Sequence, residues 1–269
     1  MKKHLLISDL DGTLLDGKQN ISMENKTSIQ QFIKDGGLFT IATGRVEDSV
    51  GPYVQELGIT LPVILYNGAV IYDYQNQKRI YEQMITNFTP LFKQLQAFSE
   101  SESIGINYYQ NKKAYISDYN ELIKEHEKKD KVKVWEIDAI FDTSYVTKVL
   151  LISDPIVLKK CEKLVLSSGV SCDMIYSEKN YLEILPKNVS KGNAVKHLLQ
   201  YIKRTDLHTT CVGDHENDLT MLQTADTAYV VENAIDLLKL QNFRRTVHHE
   251  HHAIQSIIED ISCSITLKR

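Results

Sequence analysis

The chain has 269 residues, 31 Lys+Arg against 35 Asp+Glu, a formal net charge of −4 and 42% hydrophobic residues. That length holds one large domain or two smaller ones, and the apolar content suffices for a sizeable core, so global disorder is excluded. A pI near 6.1 lacks the basic surplus that nucleic acid demands of its partners, so an anionic ligand would have to be drawn by a few placed cations.

Cys161, Cys172, Cys211 and Cys263 are widely spaced and form no CxxC pair. A zinc knuckle or redox motif is therefore not expected, and a reducing cytoplasmic setting fits. The N-terminal apolar run Leu5-Leu6-Ile7 is closed by Asp9, too short for a secretion signal. No stretch approaches the ~18 apolar residues of a membrane span, and no internal repeat is visible. Monomer and homodimer stay equally open.

Leu5-Leu6-Ile7 predicts a buried strand followed by a loop. Ser22 caps a helix whose Ile29, Phe32 and Ile33 recur at helical spacing, and Gly36-Gly37 stops it. A strand over Leu38–Ala42 runs into Thr43-Gly44-Arg45, and a helix over Val46–Leu57 ends at Gly58. Val63–Leu65 is a third strand, ending at Asn67-Gly68. Strand and helix alternate, which predicts a parallel sheet with helices on its faces.

The pattern then changes. Ala69–Tyr74 and Arg79–Gln83 predict a hairpin, and Asn87 or Thr89 opens a helix through Phe98. Ile104, Ile106 and Tyr108 alternate with polar or small residues, as do Ala114 and Ile116. That predicts an antiparallel sheet with one wet face. A charged helix over Asp118–Lys129, a strand over Val146–Ile152, a helix over Pro155–Ser167 and strands over Met174–Tyr176 and Tyr181–Leu185 complete an α+β stretch.

The α/β alternation resumes with a helix from Lys191 to Ile202 and a strand Thr209–Val212. A helix including Leu219–Leu222, a strand Ala228–Val231 and helices near Ile235–Leu240 and Ala253–Ile261 follow. The expected organisation is a discontinuous core, residues 1–83 and 188–269, with an inserted domain over 84–187.

Ligands of open parallel sheets sit beyond the carboxyl ends of the strands. Four segments fall there: Asp9-Leu10-Asp11-Gly12-Thr13, Thr43-Gly44-Arg45, Asn67-Gly68, and Gly213-Asp214 with Asn217-Asp218. A fifth, Ser190-Lys191-Gly192, starts a helix. Crowded carboxylates repel one another, and a hard divalent cation removes that penalty; an all-oxygen donor set favours Mg²⁺.

In this order these residues resemble the haloacid dehalogenase superfamily: Asp9-Leu10-Asp11-Gly12-Thr13, Thr43, Lys191 and Gly213-Asp214-x-x-Asn217-Asp218. The insert resembles the C2B cap of the Cof-type hydrolases, and Asn233-Ala234 resembles a further family segment. The resemblance implies a Rossmann-like parallel-sheet core with an inserted α+β cap. It also implies a Mg²⁺-dependent phosphatase that acts on small phosphorylated metabolites through an aspartyl-phosphate. Asp9 is then the nucleophile and Asp11 the general acid and base. Asp9, the Asp11 carbonyl and Asp214 would hold Mg²⁺, with Asp218 as an outer ligand. Thr43, Gly44, Lys191 and Asn217 would hold the phosphoryl group, and Arg45 would meet the substrate. Thr13 is expected to support the loop. Within the same chemistry a phosphomutase is the alternative, and a low-turnover phosphometabolite-binding regulator is another.

Other patterns have simpler readings. His248, His249, His251 and His252 around Glu250 look like a metal cluster, yet lack a partner ligand and read as a solvated loop. Arg45 also suits a local ion pair, and Asn67 a turn. Tyr108, Tyr109, Tyr115 and Trp135 suit the core or surface of the insert.

Overall fold

The computed structural model describes residues 3–204 and 206–266; Met1 and Lys2, counted in the expected core segment, lie outside them. The elements run β1 (Lys3–Ser8), α1 (Met23–Lys34), β2 (Leu38–Ile41), α2 (Glu47–Leu57), β3 (Val63–Leu65), β4 (Val70–Asp73) and β5 (Lys78–Glu82). Then come β6 (Ile85–Thr86), α3 (Thr89–Ser99), β7 (Gly105–Gln110), β8 (Lys113–Ile116), α4 (Glu121–Asp130), β9 (Val134–Glu136), β10 (Tyr145–Val146), β11 (Lys148–Ile152), α5 (Pro155–Ser167), β12 (Cys172–Glu178) and β13 (Tyr181–Pro186). The chain closes with α6 (Lys191–Ile202), β14 (Leu207–Gly213), α7 (Leu219–Thr224), β15 (Thr227–Val230), α8 (Asp236–Lys239), β16 (Arg244–Arg245) and α9 (Ala253–Thr266).

Two compact units emerge. The first comprises 1–43, 51–80 and 190–269; the second comprises 44–50 and 81–189. In the first, a five-stranded sheet has the order β16-β15-β14-β1-β2, and every pairing in it is parallel. Leu5, Leu6 and Ile7 are fully buried on both faces of β1, which explains the unbroken apolar run; each contributes roughly 1.5–3 kcal/mol by leaving water. Ser22 caps α1 by accepting from Asn25 N, and α1 packs on α9.

The third strand departs from expectation. β3 touches the parallel sheet through one bridge, Ala42 to Ile64. It pairs antiparallel with β4 instead, in a three-stranded sheet β3-β4-β5. Tyr66 and Asn67 take left-handed backbone angles, φ 50° and 53°, and reverse the chain before a long crossover helix can form.

In the second unit a six-stranded sheet has the order β12-β13-β11-β7-β8-β9, antiparallel except for β8 with β9. One face packs Ile106, Tyr108, Val149, Leu151, Leu182 and Ile184 against Leu91 and Leu95 of α3 and Leu158, Cys161 and Val165 of α5. The opposite face is not wet: β7, β11 and β13 are buried throughout. Several of its polar groups meet one another, although both side-chain polar atoms of the buried Asn107 have no hydrogen-bond partner among the described residues. His126 of α4 (2% exposed) lies 3.2 Å from Tyr109 Oη through Nε2 and 3.3 Å from Tyr181 Oη through Nδ1. Lys148 Nζ pairs with Glu183 at 3.0 Å and donates to Gly44 O at 2.8 Å. Tyr108 and Tyr115 are core residues, whereas Trp135 is exposed under the ammonium groups of Lys113 and Lys133. No described helix is long and apolar enough to cross a membrane, and all four cysteines are free thiols.

Candidate active site

β1 and β14 are neighbouring parallel strands in the register Ser8 to Val212, so their carboxyl ends coincide. Asp9 leaves one and Asp214 leaves the other. Asp9 N still donates to Val212 O at 3.0 Å, which holds the first acid to the sheet edge. Beside them, Ser190 caps α6 by accepting from Asn193 N at 3.1 Å, and the first helical residue, Lys191, is wholly buried. Its ammonium donates to Asp9 Oδ1 at 2.6 Å and to Asp218 Oδ1 at 2.7 Å. The other oxygen of Asp218 accepts from Asp214 N at 2.9 Å and His215 N at 3.1 Å.

Ligand oxygens of Asp9, Asp214 and Asp218 lie within 4.8 Å of one another. Backbone packing enforces this closeness. A Cβ on Gly213 would stand 2.4 Å from the Asp218 carboxyl carbon. Gly12 has φ +71°, and a Cβ there would stand 2.5 Å from Asp214 Oδ2. The turn can approach Asp214 only because no side chain intervenes. Thr13 Oγ1 donates to Asp214 Oδ1 at 3.2 Å.

Three carboxylates face one ammonium, and the imbalance shows in their acidities. Burial, then the Asp218 charge, pushes Asp9 up to about 7, although Lys191 pulls the other way. Burial and the charges of Asp9 and Asp218 push Asp214 well above the ordinary value. For Lys191 burial works against the charge, but the two carboxylates overcome it and hold the group cationic. Such a set accommodates a hard divalent cation: all donors are oxygens, and two of the acids are reluctant to ionise without further positive charge.

Asp11 is partly buried, and its charge is among those that raise Asp9. Thr43 is buried; its N–H donates to Ile64 O and its carbonyl accepts from Asn67 N. Asn217 donates from Nδ2 to Asn67 Oδ1 at 3.0 Å, so Asn67 serves this contact as well as the turn. Gly44 and Arg45 belong to the second unit. There Arg45 is buried, and burial would raise the Asp130 carboxyl, but His126, with the Arg45 charge behind it, holds it below its usual value.

Two contributors escaped the sequence reading. Asn233 Nδ2 donates to Gly12 O at 2.8 Å, and His249 lies with Nδ1 2.7 Å from Leu15 O. Asn233 carried a signal, as part of Asn233-Ala234; His249 was hidden in the histidine run. That run is a short helical turn whose His252 meets Ser22 Oγ at 3.0 Å. Among the described residues the three aspartates alone form a group of three or more ligand side chains.

The profile of haloacid dehalogenase-like hydrolases matches residues 6–258. The chain is similar to 5-amino-6-(5-phospho-D-ribitylamino)uracil phosphatase YwtE of Bacillus subtilis, at 27% identity over 94% of this chain and 96% of that one. Its fold is similar to that of a haloacid dehalogenase-like hydrolase from Bacteroides thetaiotaomicron, with TM-score 0.83, 22% identity and coverage of 97% and 100%. It is also similar to that of a subclass IIB sugar phosphatase of the same superfamily, with TM-score 0.82, 18% identity and coverage of 97% and 99%. Strand ends, acids and lysine thus occur in a chain whose sequence matches one family from the first strand to the last helix, and the protein belongs to the haloacid dehalogenase-like hydrolases.

Proposed function

We propose that the protein is a Mg²⁺-dependent phosphatase of small phosphorylated metabolites, sugar phosphates or phosphorylated cofactors, acting in the cytoplasm. The observation that carries this reading is the buried Lys191 bridging Asp9 and Asp218 beside Asp214. Phosphatase activity in the similar Bacillus subtilis protein supports it.

In this reading Asp9 attacks phosphorus through a carboxylate oxygen, and the bond from phosphorus to the leaving oxygen breaks. Asp11 gives its proton to that oxygen, and the alcohol departs. The resulting Asp11 carboxylate takes a proton from water as the water attacks phosphorus. The aspartyl-phosphate bond breaks, inorganic phosphate leaves, and Asp9 and Asp11 return to their starting states. Asp9, Asp214 and the Asp11 carbonyl would hold Mg²⁺, with Asp218 outside them. The cation would supply the positive charge that keeps Asp9 and Asp214 ionised and offsets charge on the phosphoryl oxygens. Lys191 adds a fixed charge on one side. Thr43 and Asn217 are assigned to the phosphoryl oxygens. Gly44 and Arg45 directly follow Thr43 in the chain, and on that adjacency they are assigned to the phosphoryl group and the substrate.

The test is release of p-nitrophenol from p-nitrophenyl phosphate with Mg²⁺ and with a chelator. Turnover should need the metal and vanish in Asp9→Asn. Retained turnover in that variant refutes the mechanism.

A further inference from the structure

Segments more than 200 residues apart meet at the turn that follows β1. The turn is closed by Leu14 N and Leu15 N, which both donate to Leu10 O, at 3.0 and 2.9 Å. Asp11 and Gly12 lie inside it. Asn233, in the loop after β15, reaches it with Nδ2 donating to Gly12 O at 2.8 Å. The same amide accepts through Oδ1 from His249 N at 3.1 Å. The His249 ring adds a bond of 2.7 Å to Leu15 O; a carbonyl only accepts, so Nδ1 carries the proton. Gly17 N donates to Glu250 Oε1 at 2.8 Å. The turn is thus tied at Gly12, Leu15 and Gly17 to Asn233 and to two adjacent residues of the 248–252 segment.

The tie at Gly12 matters most. Gly12 is in the left-handed region, and glycine there has many alternatives of similar energy. A bond to its carbonyl removes them. The residue before Gly12 is Asp11, whose carboxyl must meet the leaving-group oxygen. An amide is the one side chain of this size that both donates to Gly12 O and accepts from His249 N. We infer that Asn233, backed by His249, is a positioning residue that holds the Gly12 carbonyl and so aims Asp11. This rests on the reading of Asp11 as the general acid.

The experiment compares two leaving groups. p-Nitrophenolate departs without a proton at neutral pH, whereas an alkyl alkoxide needs one from Asp11. Substrates are p-nitrophenyl phosphate and, from a panel of hexose, pentose and polyol monophosphates, the ester the native enzyme turns over fastest. kcat/KM reports the step in which the leaving group departs. Asn233→Ala and the isosteric Asn233→Asp, each verified as folded by thermal unfolding, should lose kcat/KM on the alkyl ester by roughly 10- to 100-fold, the cost of misplacing a catalytic group by about 1 Å. The loss on the aryl ester should be at least about tenfold smaller. Equal losses on both substrates, or none, overturn the inference, because a merely structural role does not sense the leaving group. Asn233→Asp preserves volume and keeps the test available where Asn233→Ala fails to fold. Asp11→Asn, run in parallel, should show the same selectivity. If it does and the Asn233 variants do not, the inference alone fails; if Asp11→Asn does not, the underlying reading of Asp11 fails.

Discussion

Replacing Lys191 by Met is the most informative single change. The ammonium is wholly buried between Asp9 and Asp218, at 2.6 and 2.7 Å. Met preserves the length of the stem and deletes the charge. Two buried carboxylates then face each other and Asp214 without compensation. Removing one partner of a buried ion pair costs about 3–5 kcal/mol. At roughly 2–4 °C per kcal/mol for a chain of this order, the unfolding midpoint should fall by roughly 6–20 °C. Asp9, already pushed up to about 7 with Lys191 in place, should rise further and be a poor nucleophile at neutral pH. Urea titration, thermal unfolding and phosphate release measure the three effects. The double variant Lys191→Met/Asp218→Asn separates them. It removes one orphaned charge, so it should regain at least about 1 kcal/mol over the sum of the single variants while staying inactive. A Lys191→Met protein with the native midpoint and native turnover would refute the reasoning, as would strict additivity in the double variant.

Gly12→Ala should cost about 1–2 kcal/mol for a side chain at positive φ. It should also displace Asp214, whose Oδ2 would stand 2.5 Å from the new methyl; at least tenfold weaker Mg²⁺ binding by calorimetry is expected, and unchanged binding contradicts the close-approach argument. Mg²⁺ affinity should depend on pH in one direction. Without metal, Asp9 keeps its proton below about 7 and burial with its neighbours' charges raises Asp214 as well, so both protons compete with Mg²⁺ and affinity should rise as pH climbs toward and through that value. The raised pKa of Asp9 also sets the sign for stability. Between 3.8 and about 7 the carboxyl is ionised in the unfolded chain while the folded, buried Asp9 keeps its proton, so the metal-free protein loses stability as pH climbs through this window, and added Mg²⁺ should restore it. Flat affinity across this window, measured by calorimetry in two buffers, contradicts the account.

What the sequence revealed of the site came from strand ends. Leu5-Leu6-Ile7 is an unbroken apolar run because β1 is buried on both faces, Thr209–Val212 of β14 are buried beside it, and the acids that follow them meet because parallel neighbours share an end. Ser190 announced α6, and so the place of Lys191. Longer-range relations left no local trace. β3 keeps one bridge to the parallel sheet and pairs with β4 across two left-handed residues, Tyr66 and Asn67, which periodicity does not register. The polar face of the six-stranded sheet read as solvated, since alternation cannot tell water from His126 as a hydrogen-bond partner. The charge that Arg45 presents to Asp130 joins residues far apart in the chain. Asn233 and Gly12 are separated by 221 positions, beyond any local pattern.

The central claim is that Asp9 becomes esterified by phosphate during turnover. Acid quenching of the enzyme within the first turnover, followed by peptide mass spectrometry, tests it directly. The account predicts one phosphoryl group on the peptide bearing Asp9, present with substrate and Mg²⁺ and absent from Asp9→Asn. A phosphoryl group on any other residue, or full turnover with none on Asp9, would contradict it.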